Sequence, residues 1–126
     1  MSLTAIGVIA QDLPKALKFY RLLGLEFQAL GGEDHWEAVC PNGLRLMLDS
    51  AELARQLNPQ WQPSNGAGVV LCFEQPNPRA LDKCHQMLSQ AGFVTVKEPW
   101  DAFWGQRYAS VQDADGNQVD LFAPLT

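Results

Sequence analysis

No apolar run in this chain approaches the length of a membrane helix. AIGVIA and GVVLCF stop after six residues, where a span needs about 20. Basic clusters are missing too. Lys and Arg total 9 against 14 Asp and Glu, for a net charge of −5, so no groove for nucleic acid is expected. The opening MSLTAIGVIAQD lacks the basic start and cleavage pattern of a secretory leader. Cysteine is scarce: Cys40, Cys72 and Cys84 are odd in number and show no CxxC spacing, which argues against a disulfide framework and for a reducing cytoplasm. There is no Gly-rich phosphate loop, no nucleophile elbow and no Ser–His–Asp pattern. What remains is 47% hydrophobic and 18% charged, the composition of a soluble globular protein. It is one domain's worth of chain, residues 1–126, or two small halves sharing a core.

Residues 3–10, LTAIGVIA, read as a buried strand. Asp12 then precedes LPKALKFYRLLG, with Pro14 in the first turn, Leu13, Leu17, Tyr20 and Leu23 at helical spacing, and Gly24 as the stop. LEFQAL continues as a strand. HWEAVC and LRLMLD flank Pro41-Asn42-Gly43, a hairpin signal. Residues 50–65 contain two prolines and a polar tail, so they read as a linker, with at most a helical turn at the start. The same order then returns: GVVLCF as strand, RALDKCHQMLSQAG as helix closed by Gly92, FVTV as strand, and a hairpin around DADGN. The helix-ending glycines lie 68 residues apart (92 − 24). The expected architecture is α+β: two βαβββ modules, 1–49 and 66–126, forming a curved mixed sheet around a cleft with helices outside.

Strand alternation assigns the faces. Pairing across DADGN puts Tyr108, Ser110 and Gln112 with Phe122, Asp120 and Gln118, and the more apolar Arg107, Ala109, Val111, Val119 and Leu121 on the helix side. In LRLMLD the same logic sends Arg45, Met47 and Asp49 inward. The parity of HWEAVC depends on its turn. A two-residue turn points Trp36 inward, and a bulged one points His35 and Glu37 inward.

QDLPKALKFYRLLGLEF, PNGLRLMLD and above all WGQRYASVQDADGNQVDLF resemble the vicinal oxygen chelate superfamily, the glyoxalase, bleomycin-resistance and ring-cleaving dioxygenase group. The resemblance spans the whole chain and departs from the common pattern at Ala114, where the turn usually carries proline. It implies metal ligands at inward positions that fall here on about Ala5, Met47, Gly68 and Asp120. Alanine and glycine cannot ligate, and a thioether suits hard divalent ions poorly. No metal, cofactor or catalytic residue is therefore assigned. The resemblance also implies a homodimer.

DADGN lacks the helix and distal glutamate of a calcium loop and reads as a turn. His35 and Glu37 read as an exposed edge-strand pair, although such a pair can also share a metal or act as acid and base. His85 reads as an ordinary surface or boundary residue, and Cys72 as a small hydrophobe. The aromatics are more suggestive. Trp100, Phe103 and Trp104 crowd before the last hairpin and Tyr108 follows, a set that can stack on a planar ligand or plug the sheet end. Trp61 falls in the linker. The expected binding residues are Trp36, Arg45, Met47, Asp49, Trp100, Phe103, Trp104, Tyr108 and Asp120. The leading expectation is a metal-free binder of a small aromatic or partly cationic molecule, without nucleic-acid or membrane partners. An enzyme with a relocated site around Asp120, His35 and Glu37 is the rival, and an interaction module with a self-filled cleft is the third possibility.

Overall fold

The computed structural model describes residues 1–64 and 68–126. Two compact units divide the chain, Met1–Ser64 and the remainder. The expected start of the second module at Gly66 lies outside the described residues. The fold is α+β, with two four-stranded mixed sheets, neither of them closed, and three helices among the described residues.

The first unit runs β1 (Ala5–Ala10), α1 (Leu13–Leu22), β2 (Gln28–Ala29), β3 (His35–Val39), β4 (Arg45–Ser50) and α2 (Ala51–Leu57), and its sheet has the order β1-β4-β3-β2. The second runs β5 (Leu71–Glu74), α3 (Pro78–Gln90), β6 (Thr95–Asp101), β7 (Gln106–Gln112) and β8 (Gln118–Pro124), in the order β5-β8-β7-β6. In each, the first strand pairs in parallel with the last, and the other neighbours are antiparallel. The duplication read from the sequence is thus a duplication of topology.

Helix ends repeat atom for atom. Gly24 N–H reaches Arg21 O at 3.0 Å and Leu25 N–H reaches Tyr20 O at 3.4 Å; 68 residues on, Gly92 N–H reaches Ser89 O at 3.0 Å and Phe93 N–H reaches Leu88 O at 3.1 Å. Both glycines hold positive φ, near 95° and 91°. This six-to-one and five-to-two pair of bonds satisfies the last helical carbonyls, and the apolar residue after each glycine, Leu25 or Phe93, is buried. At the starts, Asp12 Oδ1 accepts from Lys15 N and Asn77 Oδ1 from Ala80 N.

One face of each sheet carries the core. Leu46 and Leu48 are buried with Phe19 and Tyr20 of α1; Ala109, Val111, Val119 and Leu121 are buried with Leu81 and Leu88 of α3. A fully buried leucine contributes roughly 1.5–3 kcal/mol, so these two stripes bind α1 and α3 each to its own sheet.

Three expectations need correction. The stretch 50–65 is not linker throughout. Ser50 Oγ accepts from Leu53 N at 3.0 Å and starts α2, because Ser at the cap followed by Ala, Leu and Arg favours helix and both prolines lie beyond it. LEFQAL yields a strand of two residues, with Gly31 and Gly32 at positive φ just past it. FVTV is displaced towards the C-terminus, since β6 starts at Thr95 and takes in Trp100.

All three tight hairpins use the same loop. Cys40 and Leu44, Ala102 and Gln106, and Asp113 and Asn117 close loops of three residues whose third is Gly43, Gly105 or Gly116. Each glycine holds φ between 85° and 90° and donates its N–H to the residue three before it. That is a type I turn followed by a left-handed bulge residue, which glycine alone occupies without steric cost.

Candidate functional site

The bulged turn at Gly43 decides the parity of β3. His35 pairs with Asp49, Glu37 with Met47 and Val39 with Arg45, so His35 and Glu37 stand on the face opposite Leu46 and Leu48. Trp36 stands on the core side beside Leu48 and does not join Arg45, Met47 and Asp49. Its ring lies 5.6 Å from the Arg21 guanidinium, and its Nε1 donates to Glu33 O at 2.9 Å.

On this face of the first unit a charged chain runs across the strands. Asp49 Oδ1 is hydrogen-bonded to His35 Nδ1, His35 Nε2 meets Glu37 Oε2 at 2.7 Å, and Arg45 Nη1 donates to Glu37 Oε1 at 2.8 Å. The bonds to Glu37 first, and to Asp49 second, hold the imidazole above its ordinary pKa. Glu37 is held below the usual carboxylate range, chiefly by His35 and then by Arg45. The pair read as an exposed edge-strand couple is instead a half-buried network, because β3 lies between β4 and β2. β1 contributes no donor beside it: Ala5, Gly7 and Ile9 pair with Arg45, Met47 and Asp49.

The second unit carries a different face. Register puts Tyr108 opposite Phe122, Ser110 opposite Asp120 and Trp100 opposite Tyr108. Tyr108 and Phe122 stack at 6.2 Å. Trp104, on the hairpin tip, meets Trp100 at 5.6 Å, Phe103 at 4.9 Å and Tyr108 at 5.5 Å, all edge to face. Its Nε1 donates to Gln106 Oε1 at 2.9 Å. The rings are not sealed in: Phe103 is 92% exposed and Trp104 47%. Among them lies Asp120, buried, its Oδ1 accepting from Ser110 Oγ at 2.7 Å and Gln118 Nε2 at 2.9 Å. Burial, and then the Asp120 charge, push the Tyr108 phenol up to about 12, so it stays a neutral donor at any physiological pH. Cys72 pairs with Asp120 on β5 and is exposed. Burial pushes the Cys40 and Cys84 thiols up, which disfavours the thiolate.

The predicted binding residues therefore fall into three groups. Trp100, Phe103, Trp104, Tyr108 and Asp120 come together in the second unit. Arg45, Met47 and Asp49 share a face of the first, and Trp36 lies on that unit's other side. There it lines a groove of about 530 Å³ with Asp12, Leu13, Leu17, Glu33 and Glu52. Trp61 packs under the Arg55 guanidinium at 5.2 Å.

His85, read as a surface or boundary residue, belongs to the buried side of its helix. It is buried on α3, 2.8 Å from Thr95 Oγ1, and the signal was its place in the 81-84-85-88 stripe that faces the sheet. Sequence reading missed Lys97, whose Nζ stands 4.7 Å from the Trp100 ring.

A metal does not suit these residues. The positions that the resemblance assigns to ligands hold Ala5 and Met47 in the first unit and Gly68 and Asp120 in the second, one carboxylate and one thioether in all. Among the described residues no group of three or more His, Cys, Asp or Glu could hold an ion.

Residues 2–121 match the model of the Glyoxalase/Bleomycin resistance protein/Dioxygenase superfamily. The chain belongs to this superfamily. Among solved structures, this glyoxalase-superfamily chain is similar to a glyoxalase/bleomycin resistance protein/dioxygenase family enzyme from Burkholderia phytofirmans PsJN, at TM-score 0.86 and 16% identity over 99% of this chain and 100% of that one. It is also similar to a hypothetical protein from S. aureus (TM-score 0.82, 19% identity, 97% and 92% covered). A third is a lactoylglutathione lyase from Agrobacterium tumefaciens (TM-score 0.71, 18% identity, 97% and 92% covered). At these identities the likeness is one of fold. No curated protein matches the chain.

Proposed function

We propose that this superfamily member binds a small planar molecule, aromatic or partly cationic, without a resident metal, and sequesters it rather than transforming it. One observation carries the reading. Trp100, Trp104, Tyr108 and Phe122 make a continuous series of ring contacts on the face that holds the buried Asp120 carboxylate. A largely apolar surface with a few fixed polar groups is what small-molecule sites are made of. The acting form in this reading is a cytoplasmic homodimer; a single-copy mass by light scattering would remove the dimer.

The test is quenching of tryptophan emission by bleomycin and by proflavine, a planar cation. Trp104→Ala should weaken binding about ten-fold, since each lost ring contact is worth about 0.5–1.5 kcal/mol, and should keep the thermal midpoint within a few degrees. A collapsed midpoint would make the ring core, and the absence of any quenching or thermal shift in wild type would sink the reading.

The His35 network favours a second reading, an acid–base lyase or isomerase. A protonated imidazole positioned by a carboxylate is a competent proton donor. Lactoylglutathione formation, abolished in His35→Gln, would establish it; no turnover above buffer would dismiss it.

A further inference from the structure

The β6 strand is irregular where the aromatic face begins. Lys97 pairs with Ser110 and Trp100 with Tyr108, so three steps along β6 match two along β7, with a register shift between. In a regular strand residues 97 and 100 would point to opposite faces. The extra residue re-aims the chain and brings both side chains to the Asp120 face, where Lys97 Nζ rests 4.7 Å from the Trp100 ring centre. An ammonium at that distance is held by the negative face of the indole. Lys97 is otherwise an exposed side chain, and no ion pair of Lys97 is found among the described residues.

We propose that Lys97 occupies the cation subsite of this face as a built-in competitor, so that the site selects small organic cations whose charged group displaces the lysine ammonium from Trp100. This rests on the ligand-binding reading above and adds to it a charge class and a residue that sets the affinity. A guest ammonium inherits the Trp100 face, and Asp120, on the same face, supplies the opposite charge. An uncharged guest of the same shape has nothing to gain from vacating that position.

The experiment uses the full chain with two probes of one shape, phenyltrimethylammonium and its uncharged counterpart tert-butylbenzene, followed by the indole N–H signals of the tryptophans. Lys97→Met keeps the aliphatic stem and removes the ammonium. It should lower the Kd for phenyltrimethylammonium about two- to five-fold, the size of one exposed cation–aromatic contact, and leave tert-butylbenzene unchanged. Lys97→Gln serves as a second variant should the first fold poorly. Lys83→Met, on α3, removes the same charge away from the face and should change neither Kd, which separates displacement from a shift in net charge. Probes that bind while Lys97→Met gives no gain overturn the competitor role and leave the binding reading standing. An equal gain for both probes makes Lys97 a steric cover and overturns the charge class. If neither probe, bleomycin nor proflavine binds any form, this inference and the binding reading fall together.

Discussion

His35 and Asp49 face each other across the β3–β4 ladder, and the imidazole Nδ1 is hydrogen-bonded to the carboxylate while Nε2 meets Glu37. A ring bracketed in this way by two acids favours its own protonation. The His35 pKa is raised above 6.5, so its contribution to stability is fully present below the unfolded value and is lost as pH rises through the higher folded one. The Glu37 pKa is lowered below 4.5, so its contribution is present above that value and is lost as pH falls through the lower folded one. Between about pH 4.5 and 6.5 both are in force.

The thermal midpoint of wild type should therefore exceed that of His35→Gln most within that window, with the gap shrinking towards pH 9. A gap that is constant with pH would show that the ring contributes by packing alone.

Gly105 and Gly7 give opposite results when a methyl is added. Gly105 holds φ +90°, and a Cβ there meets nothing within 4 Å. Gly105→Ala should cost about 1–2 kcal/mol from left-handed strain alone, splaying the tip that carries Trp104. Gly7 has no positive φ, and its Cβ would touch only Met47 Cε at 3.5 Å, an ordinary contact. Gly7→Ala should be neutral or stabilise by up to about 1 kcal/mol through the unfolded chain. Urea titrations of the two variants decide it; a strongly destabilised Gly7→Ala would contradict the open space beside β1.

Asp120 separates structure from charge. Asp120→Ala leaves the buried Ser110 hydroxyl without its acceptor and should cost about 1–3 kcal/mol, while the exposed Gln118 amide turns to water. Asp120→Asn keeps an acceptor oxygen in place and should cost less, while sharply weakening a cationic planar ligand such as proflavine. Equal ligand affinity in Asp120→Asn and wild type would remove the carboxylate from the site.

The last hairpin was legible because its alternation is nearly strict and DADGN admits one turn. Tyr108, Ser110 and Asp120 fall on the face the sequence assigns them. β3 was not legible. Its two sets, Trp36 with Ala38 and His35 with Val39, each mix apolar with polar or small residues, and Asn42-Gly43 suits loops of either two or three residues. A single bond, Gly43 N–H to Cys40 O, decides between them, and no pattern of side chains encodes it. The helix at Ala51–Leu57 was obscured by Pro59 and Pro63, which in fact lie beyond its end and leave it intact. The Lys97–Trp100 contact was hidden for a related reason, since it depends on one extra residue in β6.

The three-residue loops ending in Gly43, Gly105 and Gly116 carry a consequence for how such a protein changes its chemistry. Side chains alternate along a strand, so loop length works as a selector of which half of a strand's residues a face displays. At β3 one setting shows His35 and Glu37, and the other would show Trp36 and Ala38. Losing or gaining one residue in a turn would thus exchange an entire set of side chains at once, with every strand residue unchanged. The last hairpin of each unit, closed at Gly43 or Gly116, holds the same selector, and each copy is free to be reset without the other.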